Sequence, residues 1–226
     1  MINKTKIRPK ILVLTPRFPY PVVGGDRLRI YEICKELAKY SDLTLLSICE
    51  NTDEMTYEIP HDGVFCNVHR VILPKWQAYY NVLSNLFGSK PLQVSYYQSR
   101  KFKALLKSLA SKHDLLFAHL IRMAHYMDES PLPGVVEMTD AISMNYERSQ
   151  RVASTFNFLS IVHRIEVKRL KLYEKKAIEK YDLLSFVSKT DSDFLYGKDN
   201  VDKVIVCNNG VDTNILKFGL PSNRLP

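Results

Sequence analysis

The sequence predicts an α/β protein built on a doubly wound parallel sheet. Three observations carry that expectation. Short apolar runs alternate with helix-period stretches along most of the chain. The runs are close to continuous in apolar residues, as in strands covered on both faces. The first run opens into a Pro-bounded loop that ends in Gly24-Gly25 and feeds a helix.

Taken in order, 10–15 (KILVLT) is the first strand. Residues 26–40 are helical, with Leu28, Tyr31, Ile33, Leu37 and Ala38 forming a broad apolar face. Asp26 reads as the N-cap of that helix, accepting from the free N–H groups of the first turn. Residues 43–48 form the next strand, 50–63 a polar loop, and 64–73 a third strand. The segment from Pro74 to Phe87 carries Trp76, Tyr79, Tyr80, Leu83 and Leu86 at helical spacing and is flanked by Lys75 and Lys90. Two readings stand for it: a helix lying on an anionic membrane surface, or an amphipathic helix packed on its own domain. Residues 99–112 form a basic helix, with Phe102, Leu105, Leu106 and Leu109 inward and Arg100, Lys101, Lys103 and Lys107 outward. A strand at 114–119 is followed by a short helix through Met127, a strand at 135–139 and a helix at 141–151. A long helix at 156–181 and a strand at 183–187 come next. Ser188 caps a helix at 189–196, 203–207 is the last strand, and Asn208-Asn209-Gly210 turns the chain. The tail KFGLPSNRLP reads as the start of a linker. The domain organisation expected is therefore one domain over 1–213 and linker over 214–226.

Composition narrows the class. At 226 residues the chain is long enough for one large α/β domain with a real core. The net charge of +8 suits an acidic partner: phosphate, anionic lipid or nucleic acid. The basic residues are spread over several helices and carry no nucleic-acid motif, so no nucleic-acid partner is expected. No apolar run approaches the ~18 residues of a membrane-spanning helix. The basic N-terminus runs into only a short apolar stretch, which reads as a strand rather than a signal peptide. Cys34, Cys49, Cys66 and Cys207 are scattered, as free thiols in a reducing cytoplasm are. His113, His125 and His163 do not cluster with carboxylates at ligand spacing, so no metal site is expected.

Ligands of doubly wound sheets bind outside the carboxyl ends of the strands, at the switch point. That edge gathers Gly24, Gly25, His119, Arg122, Thr139, Asp140, Ser188, Asn209 and Gly210. Glycine followed by a helix N-terminus suits an anion, because free N–H groups and the helix dipole point at it. The same turn read blandly is a tight connection. Arg17 and Arg29 flank it, either as ligand contacts or as solvated side chains. His119 is either a site residue or a satisfied core histidine. Asp140 is either a functional carboxylate or an N-cap. Glu166 and Glu174 read as structural partners of Lys or Arg at i+3 or i+4. The absence of GxGxxG after the first strand argues against a dinucleotide dehydrogenase.

LVLTPRFPYPVVGGDRLRIYEICKELAK and VIVCNNGVDTNIL resemble the amino-terminal half of a GT-B glycosyltransferase of the large retaining group 4 type. GSKPLQVSYYQSRKF, HLIRMAHYM and EVKRLKLYEKKAIEKYDLLSFVSKTDSDFL resemble sugar transferases of bacterial exopolysaccharide systems. The resemblance implies one Rossmann-like half of a GT-B fold that holds the acceptor and faces a donor-binding domain across a cleft. The activity it implies is transfer of a sugar from a nucleotide-sugar donor, with no tightly bound cofactor, to a glycan or lipid-linked acceptor in surface polysaccharide synthesis. The location implied is cytoplasmic, peripheral on the inner face of the membrane. By position, Asp140 and His119 would be catalytic. Gly24, Gly25, Arg29, Ser188, Asn209 and Gly210 would lie by the donor phosphates, and Arg17, Arg122 and Thr139 by the acceptor. Thr139-Asp140 stands where family members often carry a histidine. Asn208 replaces the proline of the family's hinge turn, which runs on to Asp212. The donor-binding basic pair and Glu-x7-Glu motif belong to a second domain absent from these residues, so little turnover is expected from this chain alone. The alternative is a non-catalytic basic module that binds a membrane or a partner subunit.

Overall fold

The computed structural model describes residues 8–152, 158–197 and 202–211. The linker expected over 214–226 and Asp212 of the hinge turn lie outside them. Seven strands form one all-parallel sheet: β1 (Lys10–Thr15), β2 (Asp42–Cys49), β3 (Asn67–Ile72), β4 (Leu115–His119), β5 (Gly134–Thr139), β6 (Leu183–Phe186) and β7 (Val204–Val206). Their spatial order is β3-β2-β1-β4-β5-β6-β7, so the strand order reverses between β1 and β4. That is the expected doubly wound α/β fold, with its switch point beside the glycine loop.

One helix, α1 (Gly25–Leu37), covers the first face through Ile30 and Cys34, which pack on Val13, Leu43, Leu45 and Phe117. The other face is covered by α2 (Lys75–Ser84), α4 (Arg100–Ala110), α5 (Ile121–Ala124), α6 (Ile142–Val152), α7 (Phe158–Lys180) and α8 (Lys189–Tyr196). A short helix, α3 (Leu92–Tyr96), joins α2 to α4. The 50–63 loop contains one 3-10 turn at Asp53–Met55.

Several caps follow the sequence and several do not. Ser99 and Ser188 cap α4 and α8, each accepting from the backbone N–H three residues on. Asp26 does not cap α1. The helix starts one residue earlier, with Gly24 at the N-cap, and Asp26 instead accepts from the N–H of Arg27 at 2.9 Å. Gly24 has φ 96°, a conformation that side chains resist, so the chain enters the helix where only glycine is comfortable. Glu166 and Glu174 hydrogen-bond to other helices rather than to a Lys or Arg of their own, although Arg169, three residues on, lies near enough to favour the Glu166 charge. Glu166 accepts from the N–H of Leu92 at 2.6 Å, at the start of α3. Glu174 accepts from the N–H groups of Ile142 and Ser143 at 2.8 and 3.2 Å, at the start of α6. Two carboxylates of α7 thus satisfy the free N–H groups of two other helices.

Candidate functional site

Side chains alternate between the faces of a strand, so the register assigns each strand residue to a face. On the α1 face, Leu45, Val13, Phe117, Val135 and Leu183 form one apolar row across five strands. Two residues nearer the carboxyl edge, the same face carries Ser47, Thr15, His119, Glu137 and Ser185. Every member of that second row is buried. A hydrophobic sheet therefore changes to a polar layer at one level, under α1 and at the ligand-binding edge.

Burying this layer requires partners for its charges. Arg29 of α1 supplies the counter-charge: its Nε donates to Glu137 Oε1 at 2.7 Å. The His119 ring meets the other oxygen, with Nδ1 2.7 Å from Oε2. Facing a carboxylate, that nitrogen carries the proton. Thr139 donates its N–H to Oε1 at 3.0 Å and its hydroxyl toward Oε2 at 2.8 Å. Thr15 and Ser47 satisfy each other at 2.8 Å. Burial raises the Glu137 pKa, but the hydrogen bond and charge of His119, then those of Arg29, outweigh it and hold the group at about 2. His119 Nε2 is buried and has no hydrogen-bond partner among the described residues.

The backbone is strained at the same place. Leu120 and Thr139 have φ 66° and 61°, and they are the non-glycine residues with positive φ among those described. Each lies at the end of a central strand. Such conformations persist where surrounding contacts over-determine them, and they concentrate at functional sites.

The remaining expected residues fall around this layer. Arg17 stands at the end of β1, with Asp26 and Glu50 at 3.6 and 3.8 Å. Arg122 lies with its guanidinium 5.5 Å from the Tyr97 ring centre, and its Nε is buried without a hydrogen-bond partner. Asp140 is exposed; partial burial, then Asp191 and Glu137, raise its pKa. The first N–H groups of α6 do not depend on Asp140: that of Ala141 goes to Asp191 at 3.0 Å and the next two go to Glu174. Gly25 has open space where a Cβ would stand, as does Gly210. Asn209 accepts from Arg29 Nη1 at 2.8 Å, and the Cys207 carbonyl from Nη2 at 3.0 Å. Each nitrogen of the Arg29 guanidinium thus has one partner among the described residues. The Ser188 hydroxyl is engaged with Asp191.

Sequence reasoning missed Glu137. The available signal was a lone acid inside VVEMT, a strand expected to be covered on both faces, because a charge there needs a partner. No group of His, Cys, Asp and Glu side chains among the described residues is arranged to hold a metal.

No family model matches the chain. No curated protein matches it either. Solved structures do. UGT2 of Phytolacca americana, complexed with UDP-2fluoro-glucose and pterostilbene, superposes with a TM-score of 0.52 at 12% identity over 92% of this chain and 55% of that one. The N-terminal domain of trehalose-6-phosphate phosphatase from Candida albicans gives 0.50 at 16% identity over 94% and 51%. The chain spans about half the length of these structures. The likeness shows the fold: a Rossmann-like α/β sheet of the kind that forms one half of a GT-B fold.

Proposed function

We propose that the chain is the acceptor-side domain of a glycosyltransferase. It works with a donor-binding domain to move a sugar from a nucleotide sugar to a glycan or lipid-linked acceptor in bacterial surface polysaccharide synthesis. The observation that supports this best is the buried polar row, capped by two strained residues, at the switch-point edge beside a glycine-gated helix N-terminus. UGT2 of similar fold is complexed with a nucleotide sugar, which favours the same donor class here.

In this reading Gly24 and Gly25 keep the helix N-terminus open to the donor phosphates, with Asn209, Gly210 and Ser188 along the same edge. Arg29 lies by the same phosphates, held in place by Glu137 and Asn209. Arg17, Arg122 and Thr139 border the acceptor. Asp140 orients the acceptor hydroxyl or balances positive charge on the donor sugar, and His119 faces the reacting groups. In a retaining transfer of the group 4 type the leaving phosphate takes the acceptor's proton, so no dedicated base is needed. The exopolysaccharide assignment rests on the motif resemblance.

The test is transfer by the two-domain protein against a panel of nucleotide sugars and lipid-linked acceptors, wild type beside Gly25→Val. Because a Cβ at Gly25 meets nothing, the variant is expected to fold normally and lose transfer. Wild-type turnover in the variant, or no transfer from any donor by the wild type, sinks the reading.

A second reading is favoured by one feature. The α2 segment exposes Trp76, Tyr79, Tyr80, Leu83 and Phe87. It suits a peripheral site on the inner face of the cytoplasmic membrane, either beside the transfer activity or as the function of a non-catalytic module. No described helix is long and apolar enough to cross a membrane.

A further inference from the structure

Glu137 holds more of the edge than any side chain around it. Its backbone carbonyl accepts from the N–H of Leu120 at 2.7 Å, which secures the strained residue after β4. Its carboxylate takes both donors of Thr139, which secures the strained residue at the end of β5. The same carboxylate fixes the His119 ring on one side and receives Arg29 on the other. Arg29 continues to Asn209 and the Cys207 carbonyl, at the turn after β7. One acid therefore ties together the ends of two central strands, the first turns of α1 and the last described turn of the chain.

A buried ion pair could exist to hold the fold alone. The unpartnered Nε2 of His119 argues for more. A ring locked with its Nδ1 proton on Glu137 presents Nε2, once neutral, as a lone pair. That atom has no acceptor duty inside the described residues. A buried polar atom left unmatched costs stability unless a ligand or water satisfies it. A lone pair suits a hydroxyl donor and repels a phosphate oxygen.

We propose that Glu137 is the positioning residue of this edge. It sets the His119 tautomer so that Nε2 accepts from a ligand hydroxyl, and Arg29 links that setting to the turn at Cys207–Asn209. The proposal rests on the carboxyl edge being the ligand site of a sugar-transferring protein. Its consequence is a division of labour. The glycine loop meets anionic groups, and His119 meets hydroxyl groups.

The deciding measurement is the imidazole 15N spectrum of the labelled chain, with His119 assigned by its loss in His119→Gln. At the alkaline end of a titration the wild-type ring is expected as the Nδ1–H tautomer with Nε2 bare. A ring protonated on Nε2 instead overturns the proposal without any variant. In Glu137→Gln the ring is expected to mix tautomers. An unchanged tautomer in that variant also overturns it. If the glutamine variant does not fold, Glu137→Asp is read in the same way, since it keeps the charge and shortens the reach. In the two-domain protein Glu137→Gln should lower kcat at least tenfold at unchanged donor KM and displace the acid limb of the pH profile. An undisplaced limb counts against it. Absence of transfer by the wild type would fall on the sugar-transfer reading, and the ring spectrum still decides the role of Glu137.

Discussion

The two faces of the sheet reach the carboxyl edge in different states. On the face packed by α4 to α8, the strands stay apolar to their ends, and Ile48, Met138 and Phe186 are fully buried. On the α1 face the last full row is Ser47, Thr15, His119, Glu137 and Ser185. Both are equally dry. The first is stabilised by area removed from water, and single side chains there act almost independently. The second is stabilised by matched charges and hydrogen bonds, so its members stand or fall together. That difference teaches where to look for function: in a layer whose burial costs desolvation, not in the one that is free of it.

The largest expected effect separates these two kinds of burial. Leu46→Ala on the apolar face should cost about 2–5 kcal/mol by leaving a cavity. Glu137→Ala should cost about 3–5 kcal/mol for another reason: it leaves Arg29 buried and unpaired. The double variant Arg29→Met/Glu137→Met removes both charges and should be more stable than Glu137→Ala alone. Urea unfolding of the three variants checks this. If the double variant is no more stable than Glu137→Ala, the layer is not charge-matched in the way the contacts imply.

Asp140 gives the next effect. It borders the polar layer but takes no share in it, and the α6 N-terminus is satisfied by Asp191 and Glu174. Asp140→Asn should therefore melt within about 0.5 kcal/mol of wild type, the usual range for exposed sites. In the two-domain protein turnover should fall at least about a hundredfold, roughly 2.7 kcal/mol on the barrier. Full activity in that variant would remove Asp140 from the site.

Much of this edge was legible in the sequence, and the rest has physical reasons for being hidden. Strand ends at Thr15, His119 and Thr139 follow from where apolar runs stop, so the ligand edge could be drawn without coordinates. Glu137 could not be placed, because its partner Arg29 is 108 residues away and no local pattern joins them. The same holds for Glu174, whose partners at Ile142 and Ser143 lie 32 and 31 residues back. A helix-period rule looks three or four residues along the chain and so assigns such a carboxylate to the wrong neighbours. Asp26 failed at closer range. Its type suits an N-cap, but Gly24 can adopt the entry conformation two residues earlier.

Glu174 also sharpens the comparison through pH. It is fully buried on the apolar side. Burial, with a smaller push from Asp191, outweighs the donors of Ser143 and Ile142 and raises it to about 7. Glu137, on the other face, is held down to about 2. The signs are opposite. A raised carboxylate favours the fold fully below the unfolded pKa, near 4.5, and loses that contribution as pH climbs through about 7. A lowered one contributes above about 4.5 and loses its share only as pH falls through about 2. His125, held down to about 4 by burial, acts in the opposite sense up to about pH 6.5, so the Glu174 contribution, roughly 2 kcal/mol lost between pH 5 and 8, is read as the difference in pH slope between wild type and Glu174→Gln. The variant should lose less stability over that range than the wild type. A slope unchanged by the substitution would assign it to other groups.

The smallest effect on stability is expected where the logic of the faces is reversed. The polar row is buried, and the aromatic row of α2 and the turn after it is exposed: Trp76 is 72% exposed and Phe87 93%. Only Ala78 of that helix is buried, so the aromatic face contributes little area to the core. Substituting Trp76 and Phe87 with Ser should shift the unfolding free energy by less than about 0.5 kcal/mol each. The exposed face is nonetheless not neutral in its setting. Asn81 of α2 donates to the Gln98 carbonyl at 2.8 Å, one residue before the cap of α4. The exposed Arg100, Lys101 and Lys107 of that helix therefore start beside the aromatic row. Aromatic rings at headgroup depth beside basic side chains suit an anionic bilayer, at about 1 kcal/mol for each basic residue near the surface. Co-sedimentation with vesicles containing phosphatidylserine should fall at least tenfold in the double Ser variant, with melting unchanged. Binding to neutral vesicles alone should be weak for wild type and variant alike. Equal binding of the wild type to neutral and anionic vesicles, or none to either, would leave the aromatic row without a membrane partner.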